Sequence, residues 1–448
     1  MRVIQIALLL LLLAWLSLVF WNSAKPLPPG THIVSQTARL SESDVDFLYG
    51  SPQNRGLLTR ELSAINHAEQ LILLDRSPVD PELAQRLLAR KRARPHLNIV
   101  LVTDPANEAF GGSRAQTLAS LEAAGIIVSR VRLDRLRDSN PLYSGLWRLS
   151  FGWWSDPFDE LPGQVTLPAW ARMKNHKADQ RQLMVTDDGS GGWIAVIAPY
   201  GAPAGLVLRG SLARPIVASE LQIAAWSTDD DRLPPAPPMG GRGVGSIDAQ
   251  FLTEGGLQSA LLDAIAAAGS GDRINVAVDS FSDRRLVTAV LGAAARGAHL
   301  QVLLARNRIP NPAVAGELER GGGGHIEVRW SRAVPGMQPL TLLIVQHRND
   351  LWVNWSSANF TRRNLDDLNL EAGVELRMPA RCAPARAAAE YFAGAWSNAA
   401  AGEVASGAAG AVTMGESAAV PAGGPAAPGE SAAYWEYRFA EATGLSSF

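Results

Sequence analysis

Two stretches of this chain run through the same order of elements, and that repeat restricts the fold more than any other feature. Between residues 57 and 104 a helical pattern leads to the apolar strand LILLD, then to a helix in ELAQRLLARKRA and a strand in LNIVLVTD. From Gly255 the order recurs, with GLQSALLDAIAAA and RRLVTAVLGAAARG as helices and RINVAVD and HLQVLLARN as strands. Helical periodicity alternating with short runs of Val, Ile and Leu is the pattern of βαβ units. Such units build a parallel or mixed sheet covered by helices. The expected fold class is α/β, with two similar halves, each a mixed β-sheet flanked by helices.

The chain has 448 residues, 47% hydrophobic and 19% charged, which suffices for two or three domains with a large core. Residues 229–245, DDDRLPPAPPMGGRGVG, have linker composition and separate a first half at 31–228 from a second at 246–398. The GRGVG run lies in this linker and not between a strand and a helix, so it does not read as a dinucleotide-binding turn. Residues 399–429 are rich in Ala, Gly and Pro and almost uncharged, the composition of a disordered tether. Residues 430–448 carry Trp435, Tyr437, Phe439 and Leu445 and read as a terminal docking segment. A formal net charge of -2 gives no general attraction for polyanions, so no nucleic-acid partner is expected. The one cysteine, Cys382, excludes an intramolecular disulfide and a Cys-rich metal site, and reads as a buried core residue. No metal or cofactor is expected.

The N-terminus carries a second constraint. After Arg2, residues 3–21 (VIQIALLLLLLAWLSLVFW) contain only Gln5 and Ser17 as polar members. About twenty apolar residues span a bilayer as a helix. A cleavable signal would want small residues where Asn22 and Ala24 stand, and Asn22 fits poorly; an uncleaved anchor over residues 1–24 is favoured over a signal. Arg2 precedes the span, which places the body on the extracytoplasmic, periplasmic side. KPLPPG at 25–30 reads as a stiff spacer between the membrane segment and the body.

The most specific stretch is 352–376, WVNWSSANFTRRNLDDLNLEAGVEL: an apolar strand, a turn of small residues, and a polar segment returning to a strand. It resembles the phospholipase D superfamily, in which each half presents H-x-K-x4-D on a strand, then a G-S-x-N turn and a carboxylate. Ser356 stands at the Gly position, Ser357 and Asn359 match the Ser and Asn, and Glu371 takes the place of the carboxylate that orients a catalytic histidine. The first half has a counterpart in NHKADQRQLMVTDDGSGGW, with Gln180 at the His position, Gln182 at the Lys position and Asp187 at the Asp position. AVIAPYGAPAG replaces the small-residue turn after it. His176 and Lys177 are adjacent rather than one apart, so on a strand they would face opposite ways. In the second half Pro339, Thr341 and Gln346 take the three positions, and none of the seven histidines is followed two residues later by Lys. His347 reads as exposed. Arg181, Arg362 and Arg363 could contact a phosphate but read as solvated surface groups.

The resemblance covers most of residues 44–396 and is nearest to the bacterial phosphatidylserine, phosphatidylglycerophosphate and cardiolipin synthase-like branch. It implies two phospholipase D-like halves related by a pseudo-twofold, with the site between them. In that family one histidine attacks phosphorus, the other protonates the leaving alcohol, and the lysines hold the phosphoryl oxygens. Gln and Pro can do neither acid–base nor nucleophilic work, and losing the lysines removes stabilisation of the transition-state charge. The resemblance thus implies a catalytically silent, membrane-anchored homologue that binds a phospholipid or other phosphodiester, or a partner protein. The alternatives are an active phosphodiesterase or phosphatidyltransferase and a purely structural anchor.

Overall fold

The computed structural model describes residues 2–49, 56–106, 112–150, 175, 177–198, 204–238, 240–308, 310–331, 341–401 and 439. Pro339 and His176 lie outside them, as do the docking segment except Phe439 and all of the Ala/Gly/Pro-rich stretch beyond 401. The first half runs from α1 (Arg2–Ser23) through β1 (Ala38–Leu40), β2 (Val45–Tyr49), α2 (Gly56–His67), β3 (Leu71–Asp75), α3 (Pro81–Ala93) and β4 (Asn98–Thr103). It continues with α4 (Gly112–Ala123), β5 (Ile127–Arg130), α5 (Pro141–Ser150), β6 (Leu183–Asp187), β7 (Trp193–Ile197), β8 (Ala204–Arg209) and α6 (Ala213–Ser227). The second half contains β9 (Ile247–Thr253), α7 (Glu254–Ala267), β10 (Arg273–Val278), α8 (Arg284–Ala295), β11 (His299–Ala305), α9 (Pro310–Gly321) and β12 (Ile326–Ser331). After it come β13 (Thr341–His347), β14 (Asp350–Ser356), α10 (Arg362–Leu365), β15 (Ala372–Pro379), α11 (Ala383–Asn398) and β16 (Ala400–Ala401).

The repeat predicted from sequence is exact at the level of topology. One sheet has the order β2-β8-β7-β6-β3-β4-β5, and the other contains β9-β15-β14-β13-β10-β11-β12 with β1 and β16 added at its edges. In both, the βαβ strands pair in parallel, β3 with β4 and β10 with β11. The hairpin strands β6 and β13 run antiparallel to β3 and β10. Helix starts match too: Asp80 caps α3 through the amides of Glu82 and Leu83, and Asp283 caps α8 through those of Arg285 and Leu286.

Side-chain alternation along each strand builds three apolar layers. Leu342 and Ile344 of β13 join Leu71 and Leu73 of β3 in one core between the sheets, which also takes in the inner faces of α6 and α11. The alternate residues Leu343 and Val345 pack outward with α7, α8 and α9. Ile72 and Leu74 pack outward with α2, α3 and α4. Cys382 is buried in the central core. Trp355, wholly buried there, donates its indole N–H to the carbonyl of Ile197 in the other half at 3.2 Å.

Two expectations are corrected. Residues 34–40, assigned to the first half, join the second sheet: β1 pairs antiparallel with β9, and Val34 bridges Leu252. KPLPPG is not a free spacer but is pinned to the first half. Trp226 donates its indole N–H to the Pro29 carbonyl at 2.9 Å, and the Gly30 carbonyl accepts from Arg181 at 2.8 Å and Ser219 at 2.9 Å. Gly30 has φ +84°, and a Cβ there would meet the Ser219 carbonyl at 2.6 Å, so only glycine fits. The apolar helix is held as well: Trp15 Nε1 donates to the Leu142 carbonyl at 3.0 Å, and α5 meets α1 at Gly145, where a Cβ would lie 2.8 Å from Val19. Most of α1 remains exposed, and its length and hydropathy are those of a membrane span.

Candidate functional site

Where the two halves meet, the segment leading into β6 crosses the long connection 357–371 between β14 and β15. Asp179 forms a parallel bridge with Leu370, and the Gln180 amide donates to the Leu370 carbonyl at 2.9 Å. The Ala178 amide reaches Asn369 Oδ1 at 3.1 Å. Between the corresponding strands of the first half, β7 and β8, the chain is much shorter, residues 198–203.

This crossing brings Gln180, Ser357 and Glu371 into one hydrogen-bonded group, joined by Asn364. Asn364 Nδ2 donates to Gln180 Oε1 at 3.2 Å and also to Glu371 Oε1. Ser357 Oγ donates to Glu371 Oε2 at 2.5 Å and accepts from the Ala372 amide at 3.1 Å. Glu371 is fully buried, which pushes its carboxyl up to about 8, against the opposing hydrogen bonds from Ser357 and Asn364. It is therefore a neutral acid over most of the physiological range.

The remaining candidates lie elsewhere. Gln182 has φ +48°, donates to the Ser77 carbonyl at 2.7 Å, and buries an Oε1 that has no partner among the described residues. Asp187, at the far end of β6, accepts from the amides of Glu69, Gln70 and Leu71 at 2.8–2.9 Å and so fixes the loop into β3. Thr341 is buried opposite Ser356, Gln346 is exposed opposite Leu351, and Asn359 Oδ1 accepts from the Ser280 amide at 3.1 Å. His347 is half-exposed, its Nδ1 2.9 Å from Asp272.

Arg181 overturns the reading as a surface group. It is wholly buried, donating to Glu220 Oε1 at 2.7 Å, Glu254 Oε1 at 2.7 Å and Ser219 Oγ at 2.9 Å. Asp75 and Asp179 complete the cluster; burial raises both, Asp179 to about 8, and neighbouring carboxylates add to it. Burial alone would lower the Arg181 pKa, but Glu254 and Glu220 more than offset it, and the guanidinium stays charged. Lys177 is likewise taken up internally, 2.5 Å from Asp138 and donating to the Leu136 carbonyl at 2.7 Å; burial brings its ammonium down to about 8 despite Asp138. Sequence reading missed Asn364, Glu220 and Glu254. Asn364 was findable inside the 352–376 motif, and Glu254 as a lone acid opening an apolar helix.

Near the junction His32, with φ +53°, places Nδ1 2.8 Å from Asp367 Oδ1, and its side chain is half-exposed. Among the described residues no group of three His, Cys, Asp or Glu side chains is placed to hold a metal ion. The junction thus offers amide, hydroxyl and neutral-acid hydrogen bonds; Arg181 and Lys177 are paired inside the protein, while Arg362 donates to the Ser139 carbonyl at 3.0 Å.

Two copies of one seven-strand order sharing a core, with a Ser-x-Asn turn and a buried glutamate at their junction, give the chain a phospholipase D-like fold, and its second half carries a phospholipase D-like domain. More particularly, residues 261–396 match the family described as cardiolipin synthase, PLD-like domain. Among solved structures, phosphatidylserine synthase from Haemophilus influenzae Rd KW20 shares the fold at 13% identity and a TM-score of 0.52, over 85% of this chain and 89% of that one. The phospholipase D family member Nuc from Salmonella typhimurium matches at 20% identity and a TM-score of 0.29, over 35% of this chain and 97% of that one. No curated protein matches this chain.

Because Glu371 is held as a neutral acid, Glu371→Gln should be tolerated: the amide can accept from Asn364 and donate to the Ser357 hydroxyl. Glu371→Ala leaves both partners buried and unpaired and should cost about 1–3 kcal/mol. Urea denaturation of both variants checks this, and equal losses would contradict the assignment of a neutral acid.

Proposed function

We propose that this chain is a membrane-anchored, catalytically silent phospholipase D-like protein that binds a phosphodiester-containing phospholipid, with its body on the extracytoplasmic side. The observation that carries the reading is the pair of glutamines at the first motif, Gln180 bonded to Asn364 and Gln182 to Ser77, where the family's chemistry needs imidazole and ammonium. A lipid ligand is favoured over a partner protein by the apolar helix and by the lipid chemistry named for the matching family. Losing one member of a comparable nucleophilic site costs roughly six decades in rate. The test is incubation of the full chain in mixed micelles with labelled phosphatidylglycerol and a soluble phosphodiester reporter. Binding without headgroup release is expected, and sustained release overturns the reading.

A second reading rests on His32. An imidazole oriented by a carboxylate is the arrangement a nucleophile or general base requires. If the assay shows turnover that His32→Ala abolishes, an active enzyme with a relocated histidine replaces the silent one.

A further inference from the structure

A cleft of about 590 Å³ opens at the end of α1, lined by Trp21, Lys25, Asp134, Arg135 and Arg148 among others. Its cations outnumber its carboxylates. Lys25 Nζ donates to the main-chain carbonyl of Asp134 at 2.6 Å, not to a carboxylate. Arg135 is exposed and has no carboxylate partner among the described residues; its guanidinium lies 6.0 Å from the Trp226 ring centroid. Arg148 is bonded to the buried Asp138, which also serves Lys177 at 2.5 Å, so one carboxylate is shared by two cations.

The position of the cleft is as informative as its charge. A helix of 22 residues, Arg2–Ser23, is about 33 Å long at 1.5 Å per residue, close to the hydrocarbon thickness of a bilayer. Its last turn therefore emerges at the headgroup layer. Trp21, 68% exposed, stands there as interfacial tryptophans do. A pair of cations at that depth, in excess of the one carboxylate on the same wall, Asp134, and with Lys25 also within the field of Asp138, faces the lipid phosphates.

We propose that this cleft holds the phosphate of an anionic phospholipid headgroup, with Lys25 and Arg135 as its cations, at a site separate from the junction of the halves. The inference rests on the membrane-anchored reading above. Arg148 is committed to Asp138 and orients the wall. A lipid seated there adds to the contacts that hold α1 on α5, on the side where Arg137 donates to the Lys25 carbonyl at 3.0 Å and reaches Asp367 of the second half at 3.7 Å.

The test uses the full chain in uncharged detergent micelles, titrated with dioctanoyl phosphatidylglycerol, dioctanoyl phosphatidylcholine and inorganic phosphate, and read by thermophoresis. Lys25→Gln with Arg135→Gln should weaken phosphatidylglycerol binding about thirty-fold, from about 1 kcal/mol per cation near an anionic surface. Lys25→Arg with Arg135→Lys should keep it. Unchanged affinity in the glutamine pair overturns the proposal, as does phosphatidylcholine binding as tightly as phosphatidylglycerol. Inorganic phosphate binding as tightly as the lipid makes the cleft a free-anion site and overturns the lipid assignment. A loss confined to Gln180→Ala with Asn364→Ala removes the cleft while leaving phospholipid binding at the junction. If no form of the chain binds any phospholipid, both readings fall.

Discussion

Replacing Arg181 by methionine should destabilise the folded chain by about 3–5 kcal/mol, the usual cost of removing one partner from a buried charge network. The guanidinium is wholly buried and is the cation that Glu220 and Glu254 share, with Asp75 and Asp179 beside them. Methionine fills much of the space but leaves those carboxylates without a counter-charge, and it abandons the Gly30 carbonyl that Arg181 holds at 2.8 Å. Adding Glu220→Gln and Glu254→Gln to Arg181→Met should recover part of the loss, since the charges then leave together. Chemical denaturation of the full chain in detergent measures both. A single-variant loss under about 1 kcal/mol would show that the cluster is hydrated rather than a buried ion network.

The second large effect is a fall in stability as pH rises from about 4 to 8. Asp179 and Glu371 are both pushed up to about 8, and Asp75 and Asp104 are raised as well, burial being the first cause in each. In the unfolded chain such acids release their protons near pH 4. Between the two values the folded state holds protons that the unfolded state has lost, so stability declines with pH, by up to about 1.4 kcal/mol per unit for each independent acid. Asp179 and Asp75 share one cluster and titrate together, so their steps belong to the set. Asp138 acts in the opposite sense: burial would raise it, but Lys177 and Arg148 hold it down to about 2. Its contribution is present above about pH 4 and is lost as pH falls toward 2. Lys177, lowered to about 8 from an ordinary 10.5, restores some stability between those two values. Urea midpoints should peak near pH 4–5 and reach a minimum near pH 8. A midpoint that rises from pH 5 to 8 contradicts the buried, protonated acids.

How much of this was legible in the residues depended on the range of the contacts. The βαβ repeats were legible because Leu71, Leu73, Ile274 and Val276 sit in patterns that depend only on their neighbours in sequence. The turn around Ser357 and Asn359 and the following Glu371 were legible as a continuous motif. The apolar α1 was visible from composition alone. What could not be read were pairings between distant segments. Nothing local to Arg181 tells that Glu220 and Glu254 will surround it, and an arginine between two glutamines looks like surface. KPLPPG has the composition of a spacer, yet Arg181, Ser219 and Trp226 fix its carbonyls. The crossing of residues 178–180 over 369–370 likewise exists only once both halves have folded.

A single-turnover experiment tests most directly whether the junction carries out phosphoryl transfer. The full chain, in molar excess over phosphatidylglycerol labelled at its phosphate, is mixed in micelles and quenched after intervals from seconds to hours. No label bound to protein and no labelled phosphatidate, beyond that seen with heat-denatured chain, is the predicted result. Acid-labile label accumulating on the protein toward one equivalent, with glycerol lost, would reveal a phosphatidyl-histidine and contradict the account.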